Sequence, residues 1–140
     1  MSVTNLLKMT RLILDSNVWA IYAYGNKLNR LASLSAKENL IIFVSGQILK
    51  EVFTTCSKPI FQERGINPSE VIEVVKLSSQ LVYYKPLFQL SPDPNDNFLF
   101  DMYFQWYGDI IITEEKALWH FWRTEINVRN IKWLKENFPH

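Results

Sequence analysis

Three short apolar runs constrain the fold of this chain most strongly: RLIL (11–14), LIIFVS (40–45) and DIIIT (109–113). Each run is apolar at successive positions, so both faces of the strand that it forms must be buried. Apolar residues at helical spacing occupy the segments between these runs. Strands that are buried on both faces and alternate with helices are typical of parallel sheets that helices cover on both sides. The sequence therefore predicts an α/β fold, a three-layer α/β/α sandwich with a mainly parallel central sheet.

The length and composition indicate one domain. The chain has 140 residues, of which 48% are hydrophobic, and it shows no repeat and no linker. We expect a single domain over residues 1–140, with residues 1–10 as a candidate N-terminal extension. Net charge is +1, so any contact with nucleic acid must use a local basic face.

The cysteine content and the lack of long apolar runs point to the cytoplasm. Cys56 is the only cysteine, which excludes an internal disulfide and fits a reducing compartment. No apolar run is long enough to cross a bilayer, and the N-terminal segment does not resemble a signal peptide. We therefore expect a cytoplasmic protein that has no membrane partner.

Caps and turn residues divide the rest of the chain. Gly25-Asn26 predicts a break between two helices, and Ser45 predicts the cap of a helix that ends before Pro59. We expect a loop or short turn over 58–66. The remaining predicted elements are a helix over 67–81 that Asn67 caps, a strand at LVYY (81–84), a helix over about 96–107, a helix from about Glu115, and an edge strand with a short helix within 126–138.

Carboxylates follow several of these strands. Asp15 comes directly after the first strand, and Glu51 lies about a turn and a half into the helix after the second strand. Asp96 begins a helix after SPDPNDN, and Glu115 is two residues beyond Thr113, where DIIIT ends. Sites in parallel sheets form outside the carboxyl ends of the strands. The sequence therefore predicts that these carboxylates converge on one edge of the sheet.

Two other aspartates do not fit this placement. Asp109 starts the strand that Thr113 ends, and four residues of strand separate the two by roughly 13 Å. Asp101 lies five residues after Asp96, about 140° around the helix, and should face elsewhere. We interpret Asp109 as structural.

Converging carboxylates repel one another unless a cation lies between them. A hard divalent ion with oxygen ligands, Mg²⁺ or Mn²⁺, suits such a site and can activate water against a phosphate. The sequence thus favours metal-assisted phosphodiester hydrolysis. Its histidines, His120 and His140, and the lone Cys56 give poor support to a zinc site or a Cys–His nucleophile.

Each carboxylate also has an ordinary interpretation. Asp15 can cap the helix that follows it, and Glu51 beside Lys50 can belong to a solvated helix face. Asp96, like Asp93 before it, can form a turn, and Glu115 can be a first-turn acid that the helix dipole favours. Their joint placement on one edge is what favours a site.

Three motifs resemble those of PIN-domain ribonucleases. LILDSNV resembles the LDTNV-type opening of that family, and VSGQILKEVFTTCSKPIF is similar to its S-x-x-x-L-x-E helix with a Lys-Pro segment. SPDPNDNFLFDMYFQWYGDIIITEEKAL resembles the D-P-D-D-N…D-x-x-x-T-x-D stretch of the PIN subgroup described as toxins of toxin–antitoxin pairs. The motifs occur in order over about residues 11–118.

The resemblance implies a PIN fold and Mg²⁺- or Mn²⁺-dependent endonuclease activity on RNA, with an antitoxin protein as partner. It assigns the catalytic and metal-binding roles to Asp15, Glu51 and Asp96, and also to Glu115, which stands where the family usually has Asp. Supporting roles behind the ligands fall to Asn17 and Thr113.

The chain also departs from the family pattern. The small residues that the family has before its fourth strand are replaced here by Tyr103, Trp106 and Tyr107, which suggests a face for a homodimer or another partner. The family tends to begin just before its first strand, so Met9 is an alternative start to Met1.

Basic and aromatic residues offer contacts to RNA, each with an alternative. The basic residues near the proposed edge are Lys27, Arg30, Lys50, Lys58, Arg64 and Lys116, and of these we assign RNA binding to Lys50, Lys58, Arg64 and Lys116. They can hold phosphates without reading sequence, or can simply be solvated surface. Trp19, Tyr22 and Tyr24 can stack on bases, although their helical spacing favours core or dimer packing.

Two other functions remain open from the sequence. One is a degenerate PIN module that binds RNA or a protein without cleaving, which Glu115 in place of Asp favours. The other is a different acid-rim α/β enzyme, or a phospho-acceptor domain in which Asp15 is modified. Such a phospho-acceptor domain would need a lysine on a late strand tip, which this chain does not clearly show.

Overall fold

The computed structural model describes residues 9–37, 39–87, 96–123 and 126–140, with the backbone alone for 120–123. Its centre is a sheet whose strands pair in parallel in the order β3-β2-β1-β4-β5. The strands are β1 (Thr10–Leu14), β2 (Leu40–Val44), β3 (Gln80–Leu81), β4 (Ile110–Ile112) and β5 (Val128–Arg129). Helices flank this sheet, so the predicted three-layer α/β/α fold is confirmed.

Seven α-helices and one 3₁₀ segment lie between or after the strands within the described ranges. They are α1 (Ser16–Tyr24), α2 (Leu28–Ser35), α3 (Gly46–Cys56), α4 (Pro59–Gln62), α5 (Pro68–Ser78), α6 (Asn97–Gln105), the 3₁₀ segment Lys116–Arg123 and α7 (Ile131–Asn137). Helix α3 packs against α1 and α5, whereas α6 packs on β1 and β4. None of these helices is both long and apolar enough to span a bilayer.

The centre of the core is β1, which has a strand on each side. Leu12 pairs with Ile42 of β2 and with Ile110 of β4, and Leu12, Ile13 and Leu14 are fully buried. This burial on both faces is what the continuous apolar runs predicted. It fixes the end of β1, and with it Asp15, in the middle of the carboxyl edge.

The predicted caps and break are confirmed. Ser45 Oγ accepts a hydrogen bond from Ile48 N at 3.3 Å, and Asn67 Oδ1 accepts one from Ser69 N at 3.0 Å. Asn26 has φ of 55° between α1 and α2, a left-handed conformation that Asn tolerates and that ends a helix.

Three elements differ from their predictions. The third strand was predicted at 81–84 but covers Gln80–Leu81. Val82 N donates one further bond to Val44 O of β2 (2.8 Å), and the chain then leaves the sheet. The segment after β4 is a 3₁₀ helix rather than an α-helix, and Trp119 Nε1 donates to Thr113 O at 2.8 Å, which ties it back to the strand end. A one-turn helix, α4, occupies part of the predicted loop.

Asp109 and Asp101, which the sequence places away from the predicted site, both have structural contacts. Asp109 Oδ2 accepts a hydrogen bond from Arg11 N at 2.7 Å near the amino end of β4, as its structural interpretation requires. Asp101 is 1% exposed, and its Oδ1 accepts a bond from Leu87 N at 2.9 Å. Asp101 therefore holds the segment that follows β3 against α6.

The aromatic residues near the end of α6 divide between core and surface. Tyr103 is buried, and Trp106 Nε1 donates to Tyr83 O at 2.6 Å. Tyr107 is 79% exposed. Most of this bulk thus packs within the domain, and the homodimer or partner contact stays a prediction. Asp93 and most of the N-terminal extension lie outside the described residues.

Candidate active site

Asp15 lies at the carboxyl end of the central strand and is 4% exposed. Its Oδ1 accepts a hydrogen bond from Ser16 N at 2.7 Å, which caps α1. Its Oδ2 accepts a bond from Thr113 Oγ1 at 2.8 Å and lies 3.4 Å from Asn17 Nδ2. The cap interpretation is therefore correct for one oxygen, while the other oxygen belongs to a second set of contacts.

Burial raises the pKa of Asp15 above its usual range, and it is the largest influence on that group. Hydrogen bonds from Thr113 and Ser16 act in the opposite direction, and the negative charge of Glu115 adds to the rise. A positive charge close to a buried carboxylate favours its ionised form. The environment of Asp15 therefore suits a cation ligand.

Glu51 is the second carboxylate of the site and is partly buried on α3. Ser16 Oγ lies 3.1 Å from Glu51 Oε2 and 3.5 Å from Asp15 Oδ1, so one hydroxyl stands between the two carboxylates. Gln47 Nε2 donates to Glu51 Oε1 at 3.3 Å. These contacts hold Glu51 toward the sheet edge instead of leaving it on a solvated face.

Thr113 and Asn17 form a polar layer behind Asp15. Asn17 Nδ2 lies 3.4 Å from Thr113 Oγ1, which also accepts a bond from Glu115 N at 3.0 Å. Asn17 Oδ1 accepts a bond from Glu114 N at 3.2 Å. The start of α1 and the loop after β4 are thus bound to each other through the side chains that the resemblance placed in supporting positions.

Asp96 and Glu115 lie outside the link that Ser16 makes between Asp15 and Glu51. Glu115 is exposed, although its charge reaches Asp15. Asp96 precedes α6 and is partly buried, but its side chain makes no capping bond to that helix. Among the described side chains, no three Asp, Glu, His or Cys residues form a group that could hold a metal ion. The structure thus joins Asp15 and Glu51 through the Ser16 hydroxyl, and the charge of Glu115 acts on Asp15.

The four basic residues assigned to RNA lie at different distances from the site. Lys50 and Lys116 are exposed. Lys50 directly precedes Glu51, and Lys116 directly follows Glu115. Lys58 is exposed at the start of α4. Arg64 stacks on Tyr24, 4.0 Å from the ring centroid, and donates to Tyr24 O at 2.9 Å. Since Tyr24 ends α1, that contact lies roughly 13 Å along the helix from its start.

The core interpretation holds for the α1 aromatics, because Trp19 and Tyr22 are buried and Tyr24 is partly buried against the core. Sequence reasoning missed the role of Ser16, which joins Asp15 to Glu51. Its position directly after the strand-end aspartate was the available signal. The contact itself depends on how α1 packs against α3, which no local pattern encodes.

Comparison with known proteins finds no family model, no curated protein and no solved structure that matches this chain.

Proposed function

We propose that this chain is a metal-dependent endoribonuclease that hydrolyses phosphodiester bonds of RNA, with Mg²⁺ or Mn²⁺ as its cofactor. The observation that carries the proposal is the pair Asp15 and Glu51, which lie on either side of the Ser16 hydroxyl at the carboxyl edge. Two carboxylates so placed, one of them buried, are stabilised by a cation, and an all-oxygen donor set suits hard divalent ions. The resemblance to PIN-domain ribonucleases supports RNA as the substrate.

The residues have distinct tasks in this proposal. Asp15 and Glu51 would hold the ion, with Asp96 and Glu115 joining from neighbouring segments. A divalent ion supplies an activated water and neutralises negative charge on the phosphate. Thr113 keeps Asp15 in the orientation that presents its oxygens to the edge, because it donates to Oδ2 from the strand side.

Basic residues beside the edge would hold the RNA backbone. Lys50 and Lys116 are exposed and lie next to site glutamates in the chain, so they can bind phosphates that flank the cleaved bond. Lys58 and Arg64 would contact a longer substrate farther from Asp15.

The resemblance to the toxin subgroup extends the proposal to a biological role, because a site alone does not specify one. In that role the protein is a cytoplasmic toxin whose partner is an antitoxin protein. Suppression of RNA cleavage by the protein encoded beside this chain is the test. A homodimer is part of the same proposal, and light scattering measures it.

Cleavage of a labelled single-stranded RNA panel tests the activity. Wild type and Asp15→Asn are compared with Mg²⁺, with Mn²⁺ and with EDTA, after circular dichroism has shown that both are folded. We expect cleavage by wild type with either metal, none with EDTA, and at least about a 10³-fold loss in the variant, since a metal ligand is removed. Folded wild type that binds these RNAs but cleaves none of them would instead support the degenerate, binding-only PIN module.

A further inference from the structure

The candidate site continues along the sheet edge toward β3, where Tyr84 lies. Tyr84 follows Val82, the last residue bonded to β2, so it leaves the sheet at the same carboxyl edge as Asp15. β3 is two strands away from β1, about 10 Å at the usual strand spacing. Tyr84 is therefore placed beside the site on the flank that lies beyond Glu51.

Its neighbours show the same placement. The Tyr84 ring lies 6.3 Å from the ring of Phe98, in the first turn of α6, which Asp96 precedes. Burial raises the pKa of Tyr84 first, and the charges of Asp101 and Glu51 raise it further. The ring thus lies beside the start of α6, and the phenol is near enough to Glu51 for that charge to act on it.

The hydroxyl of Tyr84 distinguishes it from a residue that only packs. No described residue forms a hydrogen bond with this hydroxyl, although the side chain is partly buried. In the described part of the chain this hydroxyl is not one of the buried polar atoms that lack a partner, so it is open to solvent. The hydroxyl is therefore available to a group that enters the site.

We propose that Tyr84 is a substrate-binding residue, and that it takes the base of an unpaired nucleotide next to the cleaved phosphate. The inference rests on the proposed function of the site. Only an unpaired base offers a free π-face for stacking and free edges that can exchange a hydrogen bond with a phenol. The substrate class is thus single-stranded RNA, or an unpaired loop of a folded RNA.

Tyr83 is a matched control within the same segment. It is 77% exposed, and successive residues of an extended chain point to opposite sides. Its carbonyl oxygen, which any substitution keeps, accepts the bond from Trp106. Tyr83→Ala therefore removes the same atoms as Tyr84→Ala but from the other side of the segment.

The test uses fluorescein-labelled single-stranded RNA and its duplex form, with binding followed by anisotropy in an Asp15→Asn background and cleavage followed in the native background. We expect Tyr84→Ala to weaken single-strand binding by about 5- to 100-fold, the usual worth of one stacked base. Tyr84→Phe, which keeps the ring and the fold, should lose about 2- to 10-fold. In cleavage the loss should fall mainly on KM.

Tyr83→Ala should bind single-stranded RNA nearly as tightly as the protein without this substitution. Tyr84→Ala should leave duplex binding nearly unchanged. If Tyr84→Ala binds single-stranded RNA as tightly as Tyr83→Ala does, the inference is overturned, whether or not the wild type cleaves. Wild type that never cleaves, with binding that Tyr84→Ala still weakens, would remove the nuclease proposal and keep the base contact. Absence of any RNA binding would remove both.

Discussion

The two halves of the candidate site differ in how firmly the fold holds them. Asp15 and Glu51 share the Ser16 hydroxyl, and Thr113 binds Asp15 from behind. Glu115 is exposed on the loop after β4. The first half, which contains Asp15 and Glu51, is thus fixed by β1, which has a strand on each side, and by two packed helices. The second half, which contains Glu115, rests on connecting segments.

This difference teaches where activity should be sensitive to mutation. A side chain whose position the core already fixes contributes its full electrostatic effect without a further ordering cost. A side chain on an exposed loop must be ordered when the ion or substrate binds, and part of its contribution is lost in that step. Substitutions in the first half should therefore have the larger effects.

After Asp15→Asn, the largest effect is expected for Glu51→Gln. Removing this charge should lower the rate of RNA cleavage by about 10²- to 10³-fold, since the ion loses a direct ligand. Glu70→Gln, on an exposed position of α5, is the matched control and should leave the rate unchanged. Equal cleavage rates for the two variants would show that the firmly held half of the site does not take part in the reaction.

Thr113→Val should have a smaller effect of about 10- to 100-fold, as expected for a group that orients a ligand. The substitution removes the hydrogen bond that favours ionised Asp15, so the pKa of Asp15 rises further. The rising limb of the cleavage rate against pH should move to higher pH. Thr54→Val, at an exposed position of α3, is the control. A pH profile of Thr113→Val that matches the profile of Thr54→Val would contradict the assigned role of Thr113.

Glu115→Ala should reduce cleavage by less than about 10-fold, because this carboxylate is solvated and must be ordered on binding. Glu115→Asp introduces the residue that PIN-domain ribonucleases, which the motifs resemble, usually have at the matching position, and it should retain at least the wild-type rate. Single-turnover rates with Mg²⁺ measure both. A loss as large as that of Glu51→Gln would break the distinction between the two halves.

The smallest effect concerns stability without metal. Because the pKa of Asp15 is raised in the fold, the folded state binds more protons than the unfolded state between the unfolded pKa of 3.8 and the folded value. Stability is therefore greatest below this window and falls as pH rises through the folded pKa. Asp15→Asn removes this penalty, so it should raise the Tm at neutral pH.

Thermal melts in EDTA at several pH values measure this effect. Each kcal/mol should add about 2–4 °C to the Tm of a chain this size. The gain of Asp15→Asn over wild type should shrink toward acid pH, where wild-type Asp15 is itself neutral. A variant that melts lower than wild type at neutral pH would show that ionised Asp15 is already compensated in the fold.

The sequence predicted the fold well, because the spacing of apolar residues, which indicates the faces that are buried, is a local signal. The runs at 11–14, 40–45 and 109–113 became β1, β2 and β4, and their continuous apolarity implied the parallel arrangement. β3 was predicted less well, because LVYY satisfies the strand pattern while only Gln80–Leu81 pairs as strand and Val82 adds one further bond. Tyr84 leaves the sheet to contact Phe98, a contact between residues distant in the chain.

The site was predictable in part, for the same reason. The end of each strand indicated Asp15 and Glu51, since carboxyl ends of parallel strands share an edge. The link through Ser16 could not be predicted, because it depends on the packing of α1 against α3. The different burial of Asp15 and Glu115 also arises from tertiary structure, which places one within the sheet edge and the other on a loop.

Titration of metal-free protein with Mn²⁺, followed by calorimetry, tests most directly the claim that Asp15 and Glu51 share a divalent cation. The account predicts saturable binding by wild type that weakens at least about 10-fold in both Asp15→Asn and Glu51→Gln. Binding by Glu70→Gln should equal that of wild type. Absence of saturable binding by folded wild type, or equal affinity in all four proteins, would contradict the claim.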